Sequence, residues 1–162
     1  MLLIKRAQRH DTDAFIQLIE EHKTALYKVA KSYLKNEEDI ADAIQDTIFS
    51  AYEHIEDLKT ASYFKTWITR ILINQCTDII RQQKRFVTIE KATEPNGTYM
   101  ESDYEFYELL GELPEKDRVI FLLYYGEGFN MREISEVLEC NENTVRSKLQ
   151  RGRKKLKQVL SY

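Results

Sequence analysis

Toward its C-terminal end the sequence gathers Arg146, Lys148, Arg151, Arg153, Lys154, Lys155 and Lys157 against a single acid, Glu142. Asn143 stands just ahead of the cations, and Ser147 and Gln150 stand between them. Cations at this density neutralise a phosphate backbone, while guanidinium, amide and hydroxyl groups can hydrogen-bond base edges. On a helix turning about 100° per residue, Asn143, Arg146, Ser147, Gln150 and Lys154 share one face. An apolar stripe of Val145, Leu149, Gly152, Leu156 and Val159 lies opposite. This pattern makes Asn143, Arg146, Ser147 and Gln150 candidate base readers, with Lys148, Arg151 and Lys155 as phosphate contacts. A cation-rich helix can also be a solvated face suited to the negative end of the helix dipole, so the preceding segment has to decide. It holds Ile134, Val137 and Leu138 at helical spacing, then the polar turn Glu139-Cys140-Asn141, with Asn141 placed to cap the basic helix. Short helix, tight turn and basic helix together predict a helix-turn-helix that binds duplex DNA.

Other residue types offer less. Asp39, Asp42 and Asp46 could assist a metal-dependent enzyme, but His10, His22 and His54 are scattered and supply no ligand set. Cys76 and Cys140 fit no metal spacing and read as reduced thiols. The chain is expected to have no catalytic residues, metal, cofactor or small-molecule substrate, and not to be an enzyme.

The elements that must position these groups are helical throughout. Apolar residues make up 43%, and only 5 Gly and 2 Pro interrupt them. Phe15, Leu18, Ile19, Leu26, Val29, Ala30 and Tyr33 mark a first helix beginning near Asp11 and Thr12. Ile40, Ala43, Ile44, Thr47, Ile48, Ala51 and Ile55 mark a second. After a polar connection, Ser62 is positioned to cap a third helix carrying Phe64, Trp67, Ile68, Ile71, Leu72, Gln75 and Ile79. That helix ends in the basic run Arg81, Lys84 and Arg85. Periodicity fails from Phe86 to Glu108, where Pro95-Asn96-Gly97 and six acids stand against Lys91 alone. Helical pattern resumes with Phe106, Leu109, Leu110 and Leu113, and Pro114 opens a further helix. The expected fold is all-α. Two small helical domains, residues 1–85 and 106–162, are joined by a flexible acidic linker over 86–105.

A net charge of −3, from 24 basic and 27 acidic residues, argues against a nucleic-acid binder only if the charge is spread evenly. DNA phosphates respond to charge within a Debye length of roughly 10 Å, and the cations cluster. Lys5, Arg6 and Arg9 follow only three apolar residues after Met1, which is no signal-peptide core. The longest apolar run, Val119 to Tyr125, falls far short of the roughly 20 residues a membrane helix needs. A soluble, cytoplasmic protein is expected.

Further stretches sharpen this reading. Asp39–Thr47, DIADAIQDT, resembles the Asp-Ala-Glu-Asp-Leu-Val-Gln-Glu-Thr signature of sigma-factor region 2. Phe64–Arg81, FKTWITRILINQCTDIIR, resembles a helix of the same domain. Leu113–Phe121 (LPEKDRVIF), Glu133-Ile134 and Thr144–Arg153 (TVRSKLQRGR) resemble region 4. In this order and spacing they resemble the extracytoplasmic-function (ECF) sigma factors, group 4 of the sigma-70 family, which keep only regions 2 and 4.

The resemblance implies a sigma factor that binds core RNA polymerase, recognises −10 and −35 promoter elements and directs initiation, in the family typically of stress-response genes. It implies that Asp42, Gln45 and Asp46 meet the clamp helices of the β′ subunit, and that the C-terminal domain rests on the β flap. The connection from His54 to Tyr63 would match the loop that captures a flipped −10 base, with Tyr63, Lys65, Asn74 and Arg81 as the −10 candidates. The −35 element would be read by Asn143, Arg146, Ser147, Lys148, Gln150, Arg151 and Lys155. The family also implies an anti-sigma partner, often membrane-bound, whose docking surface no sequence feature identifies. The chain departs from the family pattern at Glu139 (usually Gly), Asn143 (usually small) and Gly152 (commonly Ala). A polymerase-independent helix-turn-helix regulator would explain the C-terminal unit and leave the Asp39–Thr47 and Phe64–Arg81 matches as coincidence.

Overall fold

The computed structural model describes residues 2–86, 106 and 108–160, and the chain divides into two compact units between residues 94 and 95. The linker expected over 86–105 lies outside the described residues, apart from Phe86.

The N-terminal unit holds α1 (Leu2–Gln8), α2 (Thr12–Tyr33), α3 (Glu37–His54) and α4 (Phe64–Phe86), with 3₁₀ turns at Ile55–Asp57 and Ala61–Tyr63. Asp11 starts α2: its carboxylate accepts from the Ala14 amide at 3.1 Å, filling one of the donors a helix start leaves open. Arg6 grips the same carboxylate from α1 at 2.7 and 3.0 Å and, with the Ala14 amide, holds its pKa below the usual range. His10, left-handed at φ 69°, turns the chain between the two helices. Asn36 caps α3 through the Asp39 amide at 2.8 Å.

The core comes from the predicted stripes: Leu18, Leu26 and Val29 of α2, Ile40, Ala43 and Ala51 of α3, and Phe64, Ile68 and Leu72 of α4. Thr47 is fully buried, and its hydroxyl donates to the Ala43 carbonyl at 2.7 Å, so its polar group is satisfied. Cys76 is a buried free thiol, and desolvation pushes its pKa up to about 12.

Sequence and structure differ here at several positions, among them Ile71 and Ile79 of the expected α4 stripe, which are half-buried while Ile73 and Cys76 are buried. Helix α1 escapes the periodicity analysis because only Ile4 and Ala7 are buried in its 7 residues. Ser62 does not cap α4. It sits inside the Ala61–Tyr63 turn, where the Phe64 amide already donates to the Ala61 carbonyl. Ile44 and Ile48, expected in the core, are half-buried and line a groove on the α2–α3 surface.

In the C-terminal unit, residues 108–110 are helical and run through successive i→i+3 hydrogen bonds to Leu113. Then come α5 (Glu115–Phe121), a π turn at Leu122–Gly126, α6 (Met131–Leu138) and α7 (Glu142–Leu160). Buried Leu113, Ile120, Phe121, Leu123, Phe129, Ile134, Val137, Val145 and Leu149 form its core. A capping box starts α6: the Asn130 side chain accepts from the Glu133 amide at 2.8 Å and the Glu133 side chain from the Asn130 amide at 3.0 Å.

Candidate nucleic-acid interface

The turn between α6 and α7 sets the basic helix. Glu139 adopts the left-handed conformation, φ 53° and ψ 45°. Its amide donates to the Glu136 carbonyl at 3.4 Å and the Cys140 amide to the Ser135 carbonyl at 3.0 Å. That pair is a Schellman ending, usually built on Gly, and Glu139 completes it despite its Cβ. Asn141 then caps α7, its side chain accepting from the Asn143 amide at 2.8 Å. The apolar stripe of α7 is buried at Val145, Leu149 and Gly152. At Gly152 a methyl group would stand 2.5 Å from Phe121 Cζ and closer still to Cε2. The ring of α5 occupies the space an alanine would need.

With that stripe buried, Asn143, Arg146, Ser147, Gln150 and Lys154 are all exposed. Arg146 Nη1 donates to Asn143 Oδ1 at 2.7 Å, and Nη2 lies 3.9 Å from Glu142. Two of the expected base readers are thus tied to each other. The expected phosphate contacts lie on one flank, where Lys148, Arg151 and Lys155 line a cleft of about 580 Å³ with Lys116, Pro114 and Asp117 of the α5 start. Lys148 Nζ stands 4.0 Å from the Asp117 carboxylate and is the least exposed of the three cations. Lys116 adds a cation that sequence reasoning did not select.

Arg153 lies on the other flank. Its Nε donates to the Tyr125 hydroxyl at 2.6 Å, and its guanidinium lies 5.6 and 5.7 Å from the Tyr124 and Tyr125 ring centres. The π turn supplies both tyrosines. Arg153 and Lys157 border an apolar cleft of about 680 Å³ lined by Phe106, Leu109, Leu110, Phe121, Tyr125 and Leu156.

In the N-terminal unit, Asp42, Gln45 and Asp46 are exposed on α3. Gln45 also lines the α2–α3 groove, about 350 Å³, beside Tyr27, Ile44, Ile48 and Phe49. Phe49 is 60% exposed, so the acids flank an apolar surface. Tyr63 is exposed just before α4, whereas Phe64 is core and Trp67 half-buried against it. Arg70, Asn74 and Arg81 are exposed and, at about 100° per residue, share one face of α4. Lys65 is half-buried and starts on the opposite side of the helix, so the structure does not group it with Asn74 and Arg81. Among the described residues no group of three or more His, Cys, Asp or Glu side chains could hold a metal ion. No helix among them is long and apolar enough to cross a membrane.

One helical unit thus sets acids beside an apolar groove, and the other carries a helix-turn-helix with an exposed basic helix. Residues 18–86 match the family Sigma-70 region 2, and residues 104–156 match Sigma-70, region 4. The RNA polymerase sigma factor SigV of Bacillus subtilis is 31% identical over 144 residues, covering 86% of each chain. The ECF RNA polymerase sigma factor SigW of the same organism is 27% identical, covering 97% of this chain and 94% of its own. Among solved structures, RpoE from Bartonella quintana, in complex with the anti-sigma factor NepR, superposes with a TM-score of 0.71 at 26% identity, covering 90% of this chain and 96% of RpoE. CnrH, in complex with the cytosolic domain of CnrY, gives the same TM-score and identity over 98% of this chain and 95% of CnrH. The chain belongs to the ECF sigma factors of RNA polymerase.

Proposed function

We propose that this sigma factor divides its work between its units as follows. Residues 1–85 hold core polymerase and the −10 element, residues 106–162 read the −35 element, and 86–105 tether them. The observation that carries the −35 assignment is the alignment of Asn143, Arg146, Ser147 and Gln150 on one exposed face of α7, behind which the helix is locked by Phe121 against Gly152. Recognition helices read base edges from the N-terminal part of such a face. Lys148, Arg151 and Lys155 take phosphates from the flank, joined by Lys116.

Asp42, Gln45 and Asp46 meet the β′ clamp helices, with the groove beside Gln45 taking apolar side chains between the charges. The cleft bordered by Arg153 and Lys157 seats the β flap. The segment 54–63 with Tyr63 captures a −10 base, and Asn74 and Arg81 guide the adjoining strand; Lys65, on the other side of α4, is left out of that group. The protein works by binding and catalyses no reaction itself, and it acts in the cytoplasm. Since RpoE and CnrH were each solved with a bound partner protein, an anti-sigma factor, membrane-anchored in one arrangement, restrains this chain until a stress signal releases it.

Reconstituted transcription tests the whole reading. Genomic fragments are transcribed by purified bacterial core polymerase with and without the protein. Start sites that depend on the protein and share −35 and −10 elements are the expected result. Duplex binding without polymerase, and no initiation with it, would replace this reading with that of a polymerase-independent regulator.

A further inference from the structure

The N-terminal helix α1 belongs to none of the surfaces assigned above, yet its last residue reaches across the unit. Gln8 Nε2 donates to the Ile55 carbonyl at 3.0 Å and to the Leu58 carbonyl at 2.8 Å. These carbonyls bracket the 3₁₀ turn Ile55–Asp57, whose own closing bond runs from the Leu58 amide to the Ile55 carbonyl at 3.2 Å. The side chains of Ile55 and Leu58 are buried, so one primary amide spans a turn whose two ends are anchored in the core. Around it α1 is fastened at further points. Ile4 and Ala7 are buried, Arg6 holds the cap of α2, and His10, just beyond the helix, contacts the Glu56 carboxylate within the same turn. Beyond Leu58 the chain reaches Thr60 in an extended conformation, and Tyr63 closes the next turn by donating its amide to the Thr60 carbonyl at 3.0 Å.

We propose that Gln8 is a positioning residue for −10 recognition: it splints the 55–58 backbone so that the segment ending at Tyr63 is held ready for the captured base. The inference rests on the assignment of residues 54–63 to the −10 element. Both hydrogens of the amide are used on backbone carbonyls, which fixes the loop whatever side chains it carries. A splint of this kind lowers the ordering cost that loops bear on binding. The specificity of −10 recognition then depends on a residue that touches no base.

The test uses the full chain with bacterial core polymerase and a pool of linear duplex templates randomised at the −35 and −10 blocks, with the transcribed templates sequenced. Gln8→Leu removes both donors, Gln8→Glu presents acceptors to two carbonyls, and Gln8→Lys keeps a donor on a flexible stem one atom longer. For Gln8→Leu and Gln8→Glu the −10 preference should flatten by about fivefold, the size of one net hydrogen bond, while the −35 preference stays as in the wild type. Gln8→Lys should restore most of the −10 preference. If the Leu variant does not fold, the Glu variant decides. Equal flattening at both blocks would overturn the proposal, since a general loss of structure explains it. Tyr63→Ala run alongside separates the two ideas. If it flattens the −10 preference and the Gln8 variants do not, the splint alone is wrong. If neither does, the assignment of the loop falls and the splint falls with it.

Discussion

The Arg146 guanidinium is already oriented before any ligand arrives, because Asn143 accepts from Nη1 at 2.7 Å. A side chain held in place loses less freedom on binding than one recruited from solvent. Arg146→Ala is expected to cost about 1–3 kcal/mol at one base pair and to relax specificity there. Competition between duplexes substituted one position at a time would show this. Uniform weakening across all of them would place Arg146 on a phosphate instead. Asn143→Ala should cost less in the Arg146→Ala background than alone, since the two share an interaction. Glu139 is a residue-scale departure of another kind. Its left-handed backbone suits Gly, so Glu139→Gly should stabilise the C-terminal unit by about 0.5–1 kcal/mol, read as a higher melting temperature. A lower one would show that the Glu139 side chain contributes more than its Cβ costs. The sequence displays Glu at a position where Gly is usual. Only the backbone shows that the turn absorbs the residue rather than changing shape.

At the scale of elements, what could be read in advance was what periodicity encodes. Helices α2, α3, α4 and α7 bury the stripes expected of them at Leu18, Ile40, Ile68 and Leu149, because a 3.6-residue repeat leaves little choice of face. Gly152 was visible on the α7 stripe, but the Phe121 ring that fills the space beside it could not be identified without the packing of α5. Gly152→Ala sets a gain in helix propensity of about 1 kcal/mol against overpacking of a buried ring, typically about 1–3 kcal/mol. Net destabilisation is expected in thermal unfolding. An unchanged or raised melting temperature would mean the ring yields. What periodicity does not encode was missed. Helix α1 is too short to show a stripe, and the π turn adds a residue of register that carries Tyr125 to Arg153. Counting cations along α7 therefore overstates those left for DNA.

For the whole molecule, a net charge of −3 coexists with a cation-lined cleft because its charges are segregated. Each cation that meets a phosphate steepens the fall of affinity with salt by about one unit on a logarithmic plot. Lys155→Ala should flatten that slope by about one without changing base preference, measured by binding across a salt series. Lys148→Ala should flatten it less, because Asp117 already offsets its charge at 4.0 Å. Equal effects would mean that Asp117 releases Lys148 completely on the duplex. The two-unit plan was legible because acidic, breaker-rich sequence separates two periodic stretches. The flank on which each cation lands was not, since it depends on Asp117 and Tyr125 from neighbouring elements. The buried thiol of Cys76 has a use unrelated to promoters. The thiolate is the form that attacks alkylating reagents, and at neutral pH the folded unit keeps Cys76 both covered and protonated. Its labelling rate is therefore a built-in clock for transient opening of the N-terminal unit. The half-exposed Cys140 should label first, and adding core polymerase should slow the clock at Cys76 if docking suppresses that opening.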